Sequence, residues 1–236
     1  MKIAYLGPER TFTEQITKEI FPKEILIPIS PIKNIIKAVE KNKVDFGVVP
    51  IENFYNGEVM ETLDSLTESS NVKIVMEKNL KIVHCLGALP GHKKIKQILS
   101  KNQALEQCSD YIYKKFPDAI TIPVSSTAEA VKMIKEENKI YSAAIASEKA
   151  IKDAGLKILD KDLCLKNKTR FVVLGKITTK PSGNDKTFLV IHPPVDKPGV
   201  LFNCLKFFND SNINLNSIQS RPDKNKGYYF YIELEG

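Results

Sequence analysis

The chain has 236 residues, 42% of them hydrophobic and 27% charged, a balance that excludes an intrinsically disordered protein. Lysine and arginine outnumber aspartate and glutamate by 35 to 28, for a formal net charge of +7, yet the lysines are scattered along the whole chain and tryptophan is absent, so no nucleic-acid face is expected. The charge reads as a solvated surface with a bias toward small anionic ligands, and no apolar run approaches the ~18–20 residues of a membrane span.

Taken in order, residues 2–6 (KIAYL) predict a strand ending at the turn signal Gly7-Pro8. The opening turns polar after six residues, too soon for the apolar core of a secretion signal, and the chain is expected to be cytoplasmic. Ile32, Ile35, Ile36 and Val39 have helical spacing behind Ser30, a candidate N-cap. Residues 45–50 read as a buried strand stopped by Pro50. Val59, Leu63 and Leu66 give another helix, and residues 72–76 another strand. Residues 81–88 then predict a strand, 103–116 one helix and 119–122 a strand. Ser126 and Glu129 form a capping box before a helix bearing Ala130, Val131 and Ile134. Strand 142–146, a helix closed by Gly155, and strands 156–159 and 170–174 follow. His84, inside the apolar IVHCL, reads as a hydrogen-bonded core residue more readily than as an acid. Cys85, Cys108, Cys164 and Cys204 lie far apart without a CxxC pair and are expected to be reduced thiols.

Strands alternating with helices predict βαβ units and a largely parallel sheet. Such sheets bind ligands beyond the carboxyl ends of their strands, which singles out the loops at 7–13, 50–57 and 167–171. Residues 178–185 read as a linker. Beyond them, strand 186–192, a helix opening near Pro198, strand 213–220, a turn at 223–227 and strand 228–234 predict a β-α-β-β segment, one helix and one strand short of a β-α-β-β-α-β unit. No metal or cofactor is expected, because the chain has no HExxH, no zinc-type Cys/His spacing, no GxxxxGK and no GxGxxG.

Five ordered motifs carry a resemblance over almost the full length. Gly7-Pro8-Glu9-Arg10-Thr11-Phe12-Thr13, Pro50-Ile51-Glu52-Asn53 with Gly57, and Ser100 with Gln103 and Gln107-Cys108 come first; Ala143–Ser147 and Asn167-Lys168-Thr169-Arg170-Phe171 complete the set. Together they resemble the prephenate dehydratase family. Pro198-Gly199-Val200-Leu201 and Ser220-Arg221-Pro222 are similar to motifs of the ACT regulatory domain that follows in that family. The chain departs from the pattern at Arg10 (usually Gly), Phe54 (Ser), Lys101-Asn102 (His-Pro) and Gln219 (Glu). Arg10 is expected to turn the first loop differently, and Phe54 to remove a hydroxyl from the pocket.

The resemblance implies a catalytic domain at 1–178 folded as two α/β lobes, like type II periplasmic-binding proteins. Lobe one would be 1–77 plus 156–178 and lobe two 78–155, with two chain crossings as a hinge. A linker at 179–185 and an incomplete, ferredoxin-like ACT domain at 186–236 would follow. It implies the decarboxylative dehydration of prephenate to phenylpyruvate, with no cofactor. Thr169 would hydrogen-bond the leaving hydroxyl. Asn53 would hold a substrate oxygen, and Glu52 would either donate a proton or cap a helix. Thr11, Ser100, Gln107, Arg170 and Phe171 would line the substrate site. Arg170 is open to a second reading as an internal salt bridge, since alternation along a strand turns it away from Thr169. Phenylalanine would act as effector at Gly199, Val200, Leu201, Ser220, Arg221 and Pro222, between subunits of a homodimer or homotetramer; a unit lacking the last helix and strand is expected to respond weakly. Rival readings are a non-catalytic sensor of small anions on the same fold and an arogenate dehydratase.

Overall fold

Two sheets are built from the first 176 residues in the computed structural model, which describes residues 1–164, 167–195, 197–223 and 227–235. In chain order the elements are β1 (Lys2–Leu6), α1 (Phe12–Ile20), β2 (Ile25–Ile29), α2 (Ile32–Glu40), β3 (Phe46–Asn53), β4 (Gly57–Glu58), α3 (Met60–Thr67) and β5 (Lys73–Lys81). Then come β6 (Cys85–Ala88), β7 (Gln97–Lys101), α4 (Asn102–Gln107), α5 (Ser109–Lys115), β8 (Ile120–Val124), α6 (Thr127–Glu136), β9 (Ser142–Ala146), α7 (Glu148–Asp153), β10 (Lys157–Lys161) and β11 (Lys168–Gly175). The first sheet runs β2-β1-β3-β11-β5 with β4 beside β3; the second runs β10-β6-β9-β7-β8. β1, β2 and β3 are mutually parallel, as are β7, β8 and β9, while β11 lies antiparallel between β3 and β5.

Burial explains the helix faces. α1 turns Ile16 onto Ile3, Tyr5, Val48 and Val173 of the first sheet. α2 sets Ile35 against Gly47, where a Cβ would stand 2.6 Å from Ile35 Cγ2. On the second sheet, Ala130, Val131 and Ile134 of α6 cover one face with Ile151 of α7, and Ala104, Leu105 and Ile112 cover the other. All four cysteines are free thiols.

Several sequence expectations are corrected. β3 does not stop at Pro50 but runs on to Asn53. Proline has no N–H to give a ladder, and the register of β11 against β3 shifts between Arg170 and Phe171, where Phe171 faces Pro50. The helix expected at 103–116 breaks at Cys108 into α4 and α5. The strand expected at 81–88 divides into the end of β5 and β6, leaving His84 between them. The N-cap of α2 is Pro31, with no side-chain cap, in place of Ser30. The bounds of the two lobes also move: β10 pairs antiparallel with β6 in the second sheet, so residues 157–161 do not belong with the first. Short strands join whichever edge offers them a partner, and Lys157 finds Ala88 far back in sequence.

The chain thus passes between the two sheets twice, at 82–84 and after Lys161. These passages hold each other: Ile82 N donates to Asn167 O at 2.8 Å and Leu163 N to His84 O at 3.1 Å.

Residues 177–236 form a separate unit. β12 (Lys186–Ile191), α8 (Val200–Asp210), β13 (Leu215–Pro222) and β14 (Tyr228–Glu235) give the expected β-α-β-β order, with β14 central and antiparallel to both neighbours. Gly199 caps α8 at φ 84°, a left-handed conformation natural to glycine. The turn expected at 223–227 lies in part outside the described residues; Asp223 and Gly227 on either side of it are joined by Asp223 N to Gly227 O at 2.9 Å.

Candidate active site

The carboxyl ends of the parallel strands in both sheets face one cavity of about 460 Å³. Leu6 lines it at the end of β1 with Thr11 and Phe12 beyond, Pro50 and Asn53 toward the end of β3, Lys101 at the end of β7 with Gln107 in α4, and Ser125, Ser126 and Thr127 after β8. β11 runs the other way, so its first residues, Thr169 and Phe171, arrive at the same end, preceded by Asn167. Members of all three loops singled out in the sequence therefore meet.

Polar side chains at the base of the cavity form one network with a fixed polarity. Asn53 Oδ1 accepts from the backbone N–H of Tyr55 (3.1 Å) and of Asn56 (3.3 Å). Only a carbonyl oxygen can face two N–H groups, so the amide nitrogen of Asn53 must point the other way. There it donates to Thr169 Oγ1 at 2.9 Å and to Asn167 Oδ1 at 3.2 Å. Gln107 Nε2 donates to Asn53 Oδ1 at 3.0 Å, which turns Gln107 Oε1 toward Asn167 Nδ2 at 2.7 Å. Asn53, Asn167 and Thr169 are all buried. Because the Thr169 hydroxyl accepts from Asn53, its own proton is left to donate into the cavity. Behind Asn167 lies Cys164, whose Sγ accepts from Asn167 Nδ2 at 3.8 Å; a hydrogen bond with Cys164, then burial, pushes the neighbouring Cys108 thiol far up.

Two helices direct their first turns at the cavity. Thr11 caps α1, accepting from Glu14 N at 3.3 Å, and Ser126 caps α6, accepting from Glu129 N at 3.0 Å. The partial positive charge of a helix N-terminus suits a carboxylate. The lining also carries Lys101 and Glu61. Ser126 and Lys101 were not foreseen as site residues: a capping serine reads locally as a cap, and Lys101 was noted only as a departure.

Thr11, Asn53, Gln107, Thr169 and Phe171 thus share the cavity, and three expected site residues do not. Ser100 is fully buried in β7 and gives its hydroxyl to Ile145 O at 2.6 Å. Glu52 and Arg170 face away from the cavity as a directly paired couple, as Asn53 and Thr169 are on the other side. Arg170 Nε donates to Glu52 at 2.9 Å and Nη1 to Glu77 at 3.0 Å. Arg170 is thus the internal salt bridge that strand alternation suggested, and Glu52 its partner instead of a proton source. Arg170→Ala takes the guanidinium away from Glu52 on β3 and Glu77 on β5, the strands on either side of β11. It should cost about 1–3 kcal/mol in urea unfolding while changing the KM of any cavity ligand by less than about threefold; a KM rise of a hundredfold with unchanged stability would return Arg170 to the cavity.

Of the departures from the family pattern, Lys101 lines the cavity, while Arg10 and Phe54 do not. Arg10 takes φ 66°, the conformation in which glycine is at home, and its backbone N–H donates to Glu14. Phe54 is 62% exposed, stacks edge-on with Tyr55 and does not line the cavity.

In the second unit, Gly199, Val200 and Leu201 line a cavity of about 240 Å³ with Tyr228 and Phe230. Ser220, Arg221 and Pro222 lie in β13, paired with Phe230, Tyr229 and Tyr228, and are not among its lining residues. Among the described residues no group of three or more His, Cys, Asp or Glu side chains could hold a metal ion, and no helix is long and apolar enough to cross a membrane.

Comparison with known proteins gives the same assignment from independent directions. The sequence model of the family described as prephenate dehydratase matches residues 3–179. The chain is 38% identical over 242 residues to a bifunctional chorismate mutase/prephenate dehydratase of Aquifex aeolicus, with all of this chain and 66% of that protein covered. It is 37% identical over 244 residues to a prephenate dehydratase of Methanocaldococcus jannaschii, covering 99% of this chain and 88% of the relative. The crystal structure of prephenate dehydratase in complex with L-Phe from Arthrobacter aurescens superposes with a TM-score of 0.92 at 31% identity, over all of this chain and 80% of that one. The chain spans about two thirds of the length of the bifunctional relatives. A matched family model over most of the chain and relatives above 30% identity leave one conclusion: the chain belongs to the prephenate dehydratase family.

Proposed function

We propose that the cavity converts prephenate to phenylpyruvate, carbon dioxide and water, as a step of aromatic amino-acid biosynthesis in the cytoplasm. The observation that carries this reading is the Thr169 hydroxyl, which accepts from Asn53 and so keeps its proton for a ligand. In the reaction the ring carboxylate leaves as carbon dioxide while the opposite hydroxyl leaves with a proton. The ring becomes aromatic, so the driving force is in the substrate and the protein needs orientation and one well-aimed donor. Thr169 would meet the leaving hydroxyl, with Asn53, Gln107 and Asn167 fixing it. The helix N-termini at Thr11 and Ser126, with Lys101, would hold the two carboxylates.

The test is the ultraviolet absorbance of phenylpyruvate on mixing the chain with prephenate. Product at a rate far above the spontaneous one is expected; binding without turnover would favour the sensor reading. Arogenate is the competing substrate, because Glu61, the carboxylate in the lining, could pair with its ammonium. A kcat/KM for arogenate above that for prephenate would decide for it.

The second unit is proposed to be an ACT-type regulatory domain that takes phenylalanine and pairs between subunits of a homodimer or homotetramer. The cavity at Gly199, Val200 and Leu201, walled by Tyr228 and Phe230, supports this reading, as does the L-Phe complex of the Arthrobacter relative. Calorimetric titration with phenylalanine tests it: weak, saturable heat is the expected result, and a flat titration rejects the proposal.

A further inference from the structure

One side chain of the cavity takes no part in the proposed chemistry. His84 is 3% exposed and stands where the chain first passes between the sheets. Its Nε2 lies 3.1 Å from Gln107 Oε1. That oxygen only accepts, and its orientation is dictated through Asn53 by the backbone of Tyr55 and Asn56. Nε2 must therefore carry a proton. Nδ1 is then a bare lone pair, buried and without a hydrogen-bond partner among the described residues. The ring of Phe12 meets the imidazole edge-on at 5.6 Å.

Burial holds the imidazole below its ordinary pKa, and an added proton on Nδ1 would find no acceptor. His84 is therefore a poor proton source. What it can do is donate. Gln107 Oε1 receives two N–H groups, one from Asn167 and one from His84, and so has both lone pairs filled. Gln107 Nε2 is shared between Asn53 Oδ1 and Asn56 Oδ1, both at 3.0 Å, so the pair of donors on Oε1 sets how the amide is turned between them; losing His84 leaves Asn167 as the one donor described on that oxygen.

We propose that His84 is a positioning residue: as an Nε2–H donor it heads the chain His84 to Gln107 to Asn53 to Thr169 and so fixes the direction of the Thr169 proton. This rests on the dehydratase reading of the same cavity. The imidazole suits the task because it offers a donor on one edge and only a lone pair on the other, which the apolar ring of Phe12 can cover.

The experiment compares steady-state kinetics on prephenate for the wild type, His84→Leu, His84→Asn and His84→Gln. Glutamine carries an N–H to about the reach of Nε2; asparagine is polar but stops short of Gln107. His84→Leu and His84→Asn should lose about tenfold in kcat with KM within about threefold, and His84→Gln should recover to within about threefold of the wild-type kcat. A leucine variant within twofold of wild type, or a glutamine variant no faster than asparagine, overturns the proposal. A merely structural histidine would not split kcat from KM or rank glutamine above asparagine. In parallel, ¹⁵N correlation spectra of the wild-type chain report the tautomer without reference to activity. Protonated Nε2 with bare Nδ1 is expected, and the Nδ1–H form overturns the proposal even if the chain turns over no prephenate, a result that would by itself reject only the proposed function.

Discussion

Thr169→Ala should abolish most turnover of prephenate, lowering kcat by about 10²–10⁴ while unfolding stability falls by only about 1–3 kcal/mol. The argument is geometric. The hydroxyl is the one group in the network that accepts from a neighbour and still has a proton to give toward the cavity. Removing it deletes the donor to the leaving oxygen and strands one N–H of Asn53, which retains Asn167 as a partner. Thr169→Ser should retain part of the rate. Its hydroxyl is chemically the same, but serine lacks the second γ-substituent that restricts the threonine χ1, so the donor spends less time aimed at the substrate. About a tenfold loss is expected for serine, set by pre-organisation alone. Stopped-flow absorbance of phenylpyruvate measures both. Equal rates for wild type and the alanine variant would remove Thr169 from the mechanism.

Asn53→Asp is the second large effect, and it tests polarity where the first tests presence. The change exchanges one NH₂ for an oxygen at nearly constant volume. The new oxygen would face Thr169 Oγ1 and Asn167 Oδ1, both at acceptor positions in the wild type. Asn167 has no proton to offer there and is repelled. Thr169 does, and turning its proton toward the new carboxylate takes it away from the substrate. A loss of at least about 10² in kcat is expected, with about 1–3 kcal/mol of stability from the unsatisfied buried oxygen. Lowering the pH protonates the new carboxyl, restores a donor and should return part of both losses. Activity that falls further on acidification, or a variant as fast as wild type, would show that the amide direction is irrelevant.

How much of this was legible follows from where each signal resides. β9 could be read to the residue, because SAAIA is buried at every position and an unbroken small apolar run admits little else. The opposite facing of Thr169 and Arg170 was legible for a similar reason: a strand has a period of two. β3 was cut short at Pro50 because a proline reads locally as a stop, whereas the bulge at Ile51 that carries the strand past it is defined only by its pairing with Arg170 and Phe171 of β11, far on in sequence. β10 went to the wrong sheet because its choice of edge depends on β6 and on nothing local. His84 was read as core, and buried it is. What the sequence conceals is that the polar atom reaching it belongs to Gln107, 23 residues further along the chain. Amide networks of this kind have no local pattern, since each member is chosen for a neighbour distant in sequence.

The twin passages between the sheets give the site an unusual seat. His84 ends one passage and Asn167 ends the other, and the backbones of the two are stitched together by Ile82–Asn167 and Leu163–His84 bonds. Both passages join one sheet to the other, and His84 and Asn167 in them line the cavity. A molecule that spans from Thr169 to Ser126 would clamp both walls, and the angle it sets between them would be transmitted straight to the two groups that hold Gln107 in place.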